Sequence, residues 1–438
     1  MEINIYLWYN KNIKNKEKYN MANYSRKVIA DGVGYSTIID PKFKTNKVQV
    51  MFITDLLKEA AAENAIAVGV MGSSNCKYKN ISEITAKLNA LYGATINVHV
   101  SKQGDYQKLS IGVTSIHNRF ALEGEDISGE VLEILLDCIF NPNAQNGEFG
   151  NEPFDFRKKD LLDTIDAEIN NKRGYAVLQA HRKAFLNENS GNSPYGDKET
   201  AGAVTSAQAY SAYKKLLSDA QVEIYFVGSE EDPSVEEKMK QAFSSLERKS
   251  VSNEFVALSP AKNDVCRYEE KLDVKQCKMV MAFKSDNEDR YAMKLMNTIL
   301  GGTPFSKLFL NVREKLSLCY YCAAAYTPLK GAVFIDCGIE EDNIEKTETE
   351  ILNQLEEMKK GNFSQEDIDN SLLSIANSLK GVGDTPSSYI NWYYGCFIHD
   401  EVLTPAQSLE RYSSVTREQI IDAANSLKLD TVYVMKGE

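Results

Sequence analysis

The stretch LGGTPFSKLFLNVREKLSLCYYCAAAY, Leu300 to Tyr326, decides how this chain is read. Gly301-Gly302 reads as a turn that ends a helix, since no Gly-Lys-Ser/Thr follows to make it a phosphate loop. A short helix carrying Arg313 follows, and CYYCAAAY then pairs with GAVFIDCGI as a strand pair. The strand KMVMAFKS (278–285) and the helix YAMKLMNTIL precede this unit. The helices TEILNQLEEMKKG and FSQEDIDNSLLSIANSL come after it.

The same order stands upstream. KVQVMFIT (47–54) is a strand, an Ala-rich helix follows, and NISEITAKLNALYG (80–93) is a helix closed by Gly93 in a left-handed cap. ATINVHVS and YQKLSIGV alternate around Lys102-Gln103-Gly104-Asp105 as a hairpin. SGEVLEILLDCIF (128–140) is a helix, and a long helix from Phe154 is expected to bend or break near Gly174. Both copies close alike: Thr205-x-x-Gln208 and Thr416-x-x-Gln419 are capping boxes that open a helix leading to an apolar strand, VEIYFVG (222–228) and TVYVMKG (431–437). The spacing predicts an α+β chain of two homologous lobes, each a mostly antiparallel sheet with helices packed on one face. The boundaries expected are a disordered leader 1–20, an N-terminal lobe 21–247, a polar linker 248–264 and a C-terminal lobe 265–438.

With 438 residues and 43% apolar content, the chain can build two cores. Fifty basic against 62 acidic residues leave a net charge of −12, which disfavours nucleic acid and anionic membrane surfaces as partners. The leader reverses the order of a secretory signal, and no run approaches a membrane span, so a cytoplasmic protein is expected. The eight cysteines (76, 138, 266, 277, 319, 322, 337, 396) read as buried thiols in a reducing compartment. Cys319 and Cys322 form a C-x-x-C, but on a regular strand that spacing points the two to opposite faces and argues against a redox or metal pair.

The stretch 300–326 resembles the C-terminal-half signature of the pitrilysin/insulinase-like zinc peptidases: a Gly-Gly turn, a Ser-x-Leu-Phe helix and an Arg-Glu-Lys-x-x-Leu-x-Tyr run before a strand. PKFKTNKVQVMF (41–52), LNALYGATINVHVSKQGD (88–105), NNKRGYA (170–176), GIEEDNIEK (338–346) and LDTVYVMKG (429–437) extend the likeness over nearly everything from Lys27 onward. They are similar to a branch of short bacterial intracellular members described as inactive homologues. The resemblance implies a two-lobed half of a clam shell that closes around a peptide.

The chain departs from that family at the zinc helix. Active relatives carry His-x-x-Glu-His there, whereas this chain reads AAAENAIAVGVMGSSNC (60–76). Aligned on Gly72-Ser73, Glu63, Ile66 and Ala67 fall approximately where His, Glu and His belong. The only histidines, His99, His117, His181 and His399, are too far apart in sequence to grip one metal from a single helical turn. For the third ligand the chain offers Asp160, Asp163, Asp166 and Glu168, a stripe that reads as a solvated face. No metal or cofactor is expected in this chain, and no activity of its own. The signature half is intact, and by the resemblance Arg313 and Tyr320 would donate hydrogen bonds to a substrate carbonyl at a partner's zinc. The reading is therefore a non-catalytic subunit that encloses peptides for a zinc-bearing paralogue. The alternative is a homodimeric or monomeric peptide-binding scaffold.

Overall fold

The computed structural model describes residues 22–249 and 254–437. The expected leader lies outside these residues, as does part of the expected linker.

Each copy of the repeat builds one sheet. The first has the order β1-β2-β8-β3-β5-β4, from β1 (Asn23–Ala30), β2 (Val33–Ile39), β3 (Thr45–Asp55), β4 (Thr95–Gln103), β5 (Tyr106–Ile116) and β8 (Gln221–Gly228). Only β2 and β8 pair in parallel. The second has the order β11-β12-β10-β13-β9, from β9 (Cys266–Lys271), β10 (Cys277–Lys284), β11 (Cys319–Thr327), β12 (Ala332–Ile339) and β13 (Lys428–Lys436). Here too one pair alone, β9 with β13, is parallel. With β1 set aside, the two sheets share strand order and pairing sense, so the repeat read in the sequence is a duplicated fold. A two-stranded hairpin, β6 (Ala144–Gln145) with β7 (Glu148–Phe149), precedes the long helix of the first copy.

Local signals set the ends of the elements. Asn80 caps the helix Ile81–Ala90 by accepting from the Glu83 amide, and Gly93 takes φ +73° beyond it. The capping boxes at Thr205 and Thr416 both close reciprocally. The long helix breaks at Glu168–Asn170, shortly before the expected Gly174, because Asn171 caps a new helix, Lys172–Ala184, by accepting the Gly174 amide.

The described chain divides into two units, and the division is not a single linear cut. One unit holds the chain up to Asp166, Asn192–Asn253 and Gly383–Asn391; the other holds Ala167–Gly191, Glu254–Val382 and Trp392–Glu438. Each unit thus includes a short segment from the other copy. In the first, Tyr389 at the start of the helix Pro386–Ile398 donates to buried Asp40 at 3.0 Å and meets Phe43 edge to face. In the second, the helix Lys172–Ala184 covers a sheet face with a stripe of Ala176, Ala180 and Ala184, followed by Phe185. It packs on Val280, Ala282, Phe334 and Tyr433. Small side chains let the helix lie close to the strands. The helix Arg290–Asn297 packs against β11 and against Arg417–Ser426, which in turn meets Ile344–Lys359.

The seat of that helix is also ionic. Lys284 and Lys330, both buried, converge on Glu188 at 3.5 and 2.7 Å, and Lys284 and Lys262 reach fully buried Asp430 at 3.7 and 3.0 Å. Burial alone would push both carboxyls up. Lys330 and Ser259 instead hold Glu188 below its usual range, and the Lys262 amide, Thr431 and Lys262 do the same for Asp430.

Two expectations follow. Phe185→Ala opens a cavity against Phe334 and should cost about 3–5 kcal/mol in urea unfolding. Because Glu188 and Asp430 titrate lower when folded than unfolded, their stabilisation is complete above the ordinary carboxylate range and lost as pH falls through it. The urea midpoint should therefore drop from about pH 5 downward, and Asp430→Asn should flatten part of that dependence.

Candidate functional site

In the first unit, the helix Lys58–Met71 carries Glu63, Ile66 and Ala67, the positions that the resemblance aligns with a metal motif. It is apolar on nearly every side and correspondingly buried from Ala61 to Met71, with Glu63 alone half-exposed. Ile66 and Ala67 are 1% and 0% exposed and present only carbon to their surroundings. Glu63 is desolvated, which pushes its carboxyl up, with Lys215 opposing. Where imidazoles would need outer partners, the helix is pinned by amides. Asn64 donates to Gln107 at 2.9 Å, and Gln107 donates to the carbonyls of Ala61 and Pro194 at 2.9 and 2.7 Å.

The acidic stripe does not turn toward that helix. Asp160, Asp163 and Asp166 are exposed on the helix Asn151–Ala167, where Asp160 pairs with Arg157 at 3.2 Å and Asp166 with Lys198 at 2.8 Å. Glu168 lies past the helix end and pairs with Arg182 at 3.4 Å. Arg157, not a carboxylate, reaches the zinc-motif segment, donating to Ser73 at 3.1 Å. Among the described residues no group of three His, Cys, Asp or Glu side chains is placed to hold a metal.

In the second unit, the signature stretch wraps the edge strand. The helix Arg290–Asn297 widens into a π-turn, Thr298–Gly302, and a second π-helix spans Leu308–Lys315, with Leu316 N donating five residues back to Asn311 O at 3.2 Å. Wide turns of this kind break helical regularity, often where side chains must be re-aimed. Gly301 makes the approach possible, because a Cβ there would stand 2.7 Å from the Ala324 Cβ and 2.9 Å from its backbone nitrogen on β11. Arg313, 39% exposed at the side chain, lies 4.6 Å from the Phe309 ring and 3.4 Å from Glu314. Tyr320 is 58% exposed, and its hydroxyl donates to Glu340 at 2.6 Å. That bond raises the phenol, so it stays a donor.

Tyr320 stands out because β11 is not regular. Cys319 pairs with Ile339 and Tyr321 with Gly338, so the register slips by one residue and Tyr320 is the bulge. This corrects the expectation for the cysteines: with an extra residue between them, Cys319 and Cys322 bury together on one face as free thiols that hydrogen-bond to each other, and Cys322 also meets Cys337 across the ladder. Their mutual bond and burial push the Cys319 thiol up, and the bond to Cys337 and burial do so for Cys322, away from the reactive thiolate. Two other cysteines depart from the buried reading. Cys76 is exposed in the loop after the first-unit helix and Cys266 is partly exposed on the edge strand β9.

Sequence reasoning also missed Arg173. Its guanidinium grips Asp336 with two nitrogens, at 2.5 and 3.2 Å, and lies 4.2 Å from the ring centroid of Tyr321, the neighbour of Tyr320. The NNKRGYA stretch marked the residue, but nothing in the sequence pairs position 173 with 336.

Among the described residues, neither the helix Lys58–Met71 nor the acidic stripe groups three side chains that could hold a metal. Purified protein equilibrated with zinc and desalted should retain no stoichiometric metal, and a chelator should leave its melting temperature unchanged. Bound zinc with chelator-sensitive melting would contradict this.

Residues 203–373 match the family described as the Peptidase M16 inactive domain. A protein of Bacillus subtilis described as a probable inactive metalloprotease, YmfF, is 26% identical over 90% of this chain and 94% of its own length. A Rickettsia bellii protein described as an uncharacterized zinc protease is 21% identical over 83% and 90%. The crystal structure of a conserved protein from Enterococcus faecalis superposes with a TM-score of 0.88 at 26% identity, covering 95% of this chain and 99% of that one. A Pseudomonas fluorescens structure described as a peptidase M16 inactive domain gives 0.75 at 16% identity over 95% and 98%, a likeness of fold. With Glu63, Ile66 and Ala67 on the buried helix and the 300–326 stretch intact, this chain is similar to the inactive members of the M16, pitrilysin/insulinase-like peptidases.

Proposed function

We propose that this chain is the non-catalytic subunit of a heterodimeric M16 peptidase, enclosing and orienting peptides for a zinc-bearing paralogue. The observation that supports it most is the contrast between the two units. The helix aligned with the metal motif is core, whereas Arg313 on the π-helix and Tyr320 at the β11 bulge are exposed as charged and phenolic donors. A side chain kept only for folding has no need of such exposure. Free sheet edges also suit the role: β4 ends the first sheet and β11 the second, and an extended peptide can add to such an edge through main-chain hydrogen bonds with little demand on its sequence. No helix among the described residues is long and apolar enough to cross a membrane, which fits a subunit that meets peptides in solution.

The test is in the native host. A tagged copy should bring down a paralogue with an intact His-x-x-Glu-His motif, and the complex should cleave unfolded peptides in a chelator-sensitive way. Arg313→Ala and Tyr320→Phe should leave assembly and zinc content intact while slowing turnover, since one preorganised donor to a developing oxyanion is worth about 2.7–4 kcal/mol. Wild-type turnover in both variants would leave the chain as an enclosing wall. Recovery of the chain only with itself would favour the scaffold reading.

A further inference from the structure

We infer that Arg173 is a positioning residue: through Tyr321 and Asp336 it holds the β11 bulge in the one register that presents Tyr320. The inference rests on the reading of Tyr320 given above, but its physical content is separate and can fail separately.

A bulge has two registers to choose between, and a one-residue slip would exchange the faces of all the side chains before it. Something must therefore favour Tyr321, and not Tyr320, on the side of the helix Lys172–Ala184. Three features do so. Arg173, in the first turn of that helix, stacks 4.2 Å from the Tyr321 ring centroid. Its fork is locked in the same place by both oxygens of Asp336, whose residue is buried in the middle of β12. Opposite Tyr321 stands Gly338, where a Cβ would come within 2.5 Å of the Tyr321 ring and 2.6 Å of Gln276. Tyr321 thus lies in a slot formed by the absent side chain of Gly338, with a guanidinium beside it and Lys278 5.7 Å from the ring. Stacked guanidinium with bidentate carboxylate is an arrangement that lysine cannot reproduce, although it keeps the charge. Were Arg173 only a helix anchor, neither the stack on Tyr321 nor the bare Gly338 would be needed.

The test uses the full chain. Amide hydrogen exchange should show the Cys319–Tyr321 segment opening about tenfold faster in Arg173→Lys. Gly338→Ala, which leaves Arg173 untouched, should do the same by crowding Tyr321. In both, β10 and the body of the helix Lys172–Ala184 should stay at wild-type rates. Unchanged exchange at the bulge, or acceleration spread over the helix and β10, would overturn the inference, the second because it shows a general structural role. Binding of a fluorescein-labelled casein digest forms the second arm. If Tyr320→Phe weakens it and Arg173→Lys does not, the inference fails. If wild type binds no peptide while the local exchange pattern holds, the peptide reading of Tyr320 fails and the positioning role stands.

Discussion

The seating of one helix, Lys172–Ala184, on the sheet of the second unit is the contact on which the rest of that unit depends. Its alanine stripe permits close approach, Phe185 closes the apolar seat, Glu188 beyond it meets two buried lysines, and Arg173 at its start clamps the edge strand. Apolar contact supplies the attraction. The polar groups at either end specify the placement, because displacing the helix would take Glu188 from Lys284 and Lys330 and Arg173 from buried Asp336. The helix comes from the first copy of the repeat, and the first unit receives the start of Pro386–Ile398 from the second copy. Each unit therefore combines most of one copy of the repeat with a short segment from the other.

The packing of the helix Lys58–Met71 is itself unlike that of a metal-holding helix. A helix that holds zinc must present imidazoles to a cavity with room for water and substrate. The helix Lys58–Met71 is instead sunk in the core, with Ile66 and Ala67 closed off and its polar neighbours Asn64 and Gln107 satisfied by each other and by backbone. A single substitution back to histidine would meet a full core with no second shell to orient it.

The second unit concentrates irregularity in one stretch. Two π-turns, a β-bulge and close approaches at Gly301 and Gly338 all fall within or against the signature stretch. Such features cost stability relative to regular helix and strand, and persist where the surroundings over-determine them. Their concentration around Arg313 and Tyr320 is what a chain would show if it maintained the presentation of two donors.

The sequence by itself determined the class of fold, the duplication, the boundaries of most central elements and the absence of a His-x-x-Glu-His run. Each of these rests on local information: period-two alternation in β3 and β5, Asn80, Thr205 and Thr416 as caps, Gly93 as a left-handed stop, and side chains at 63, 66 and 67 that cannot make up a zinc site. Where it erred, a non-local contact intervened. The edge strands β1 and β9 carry weak patterns and were not legible, since their placement depends on partners far along the chain. Regular strand geometry set Cys319 and Cys322 apart, and only the bulge, selected by Gly338 and by an arginine from the other copy, brings them together. The exchange of helices was invisible for the same reason: apolar spacing states that a helix has a face to bury, and cannot state which sheet will bury it.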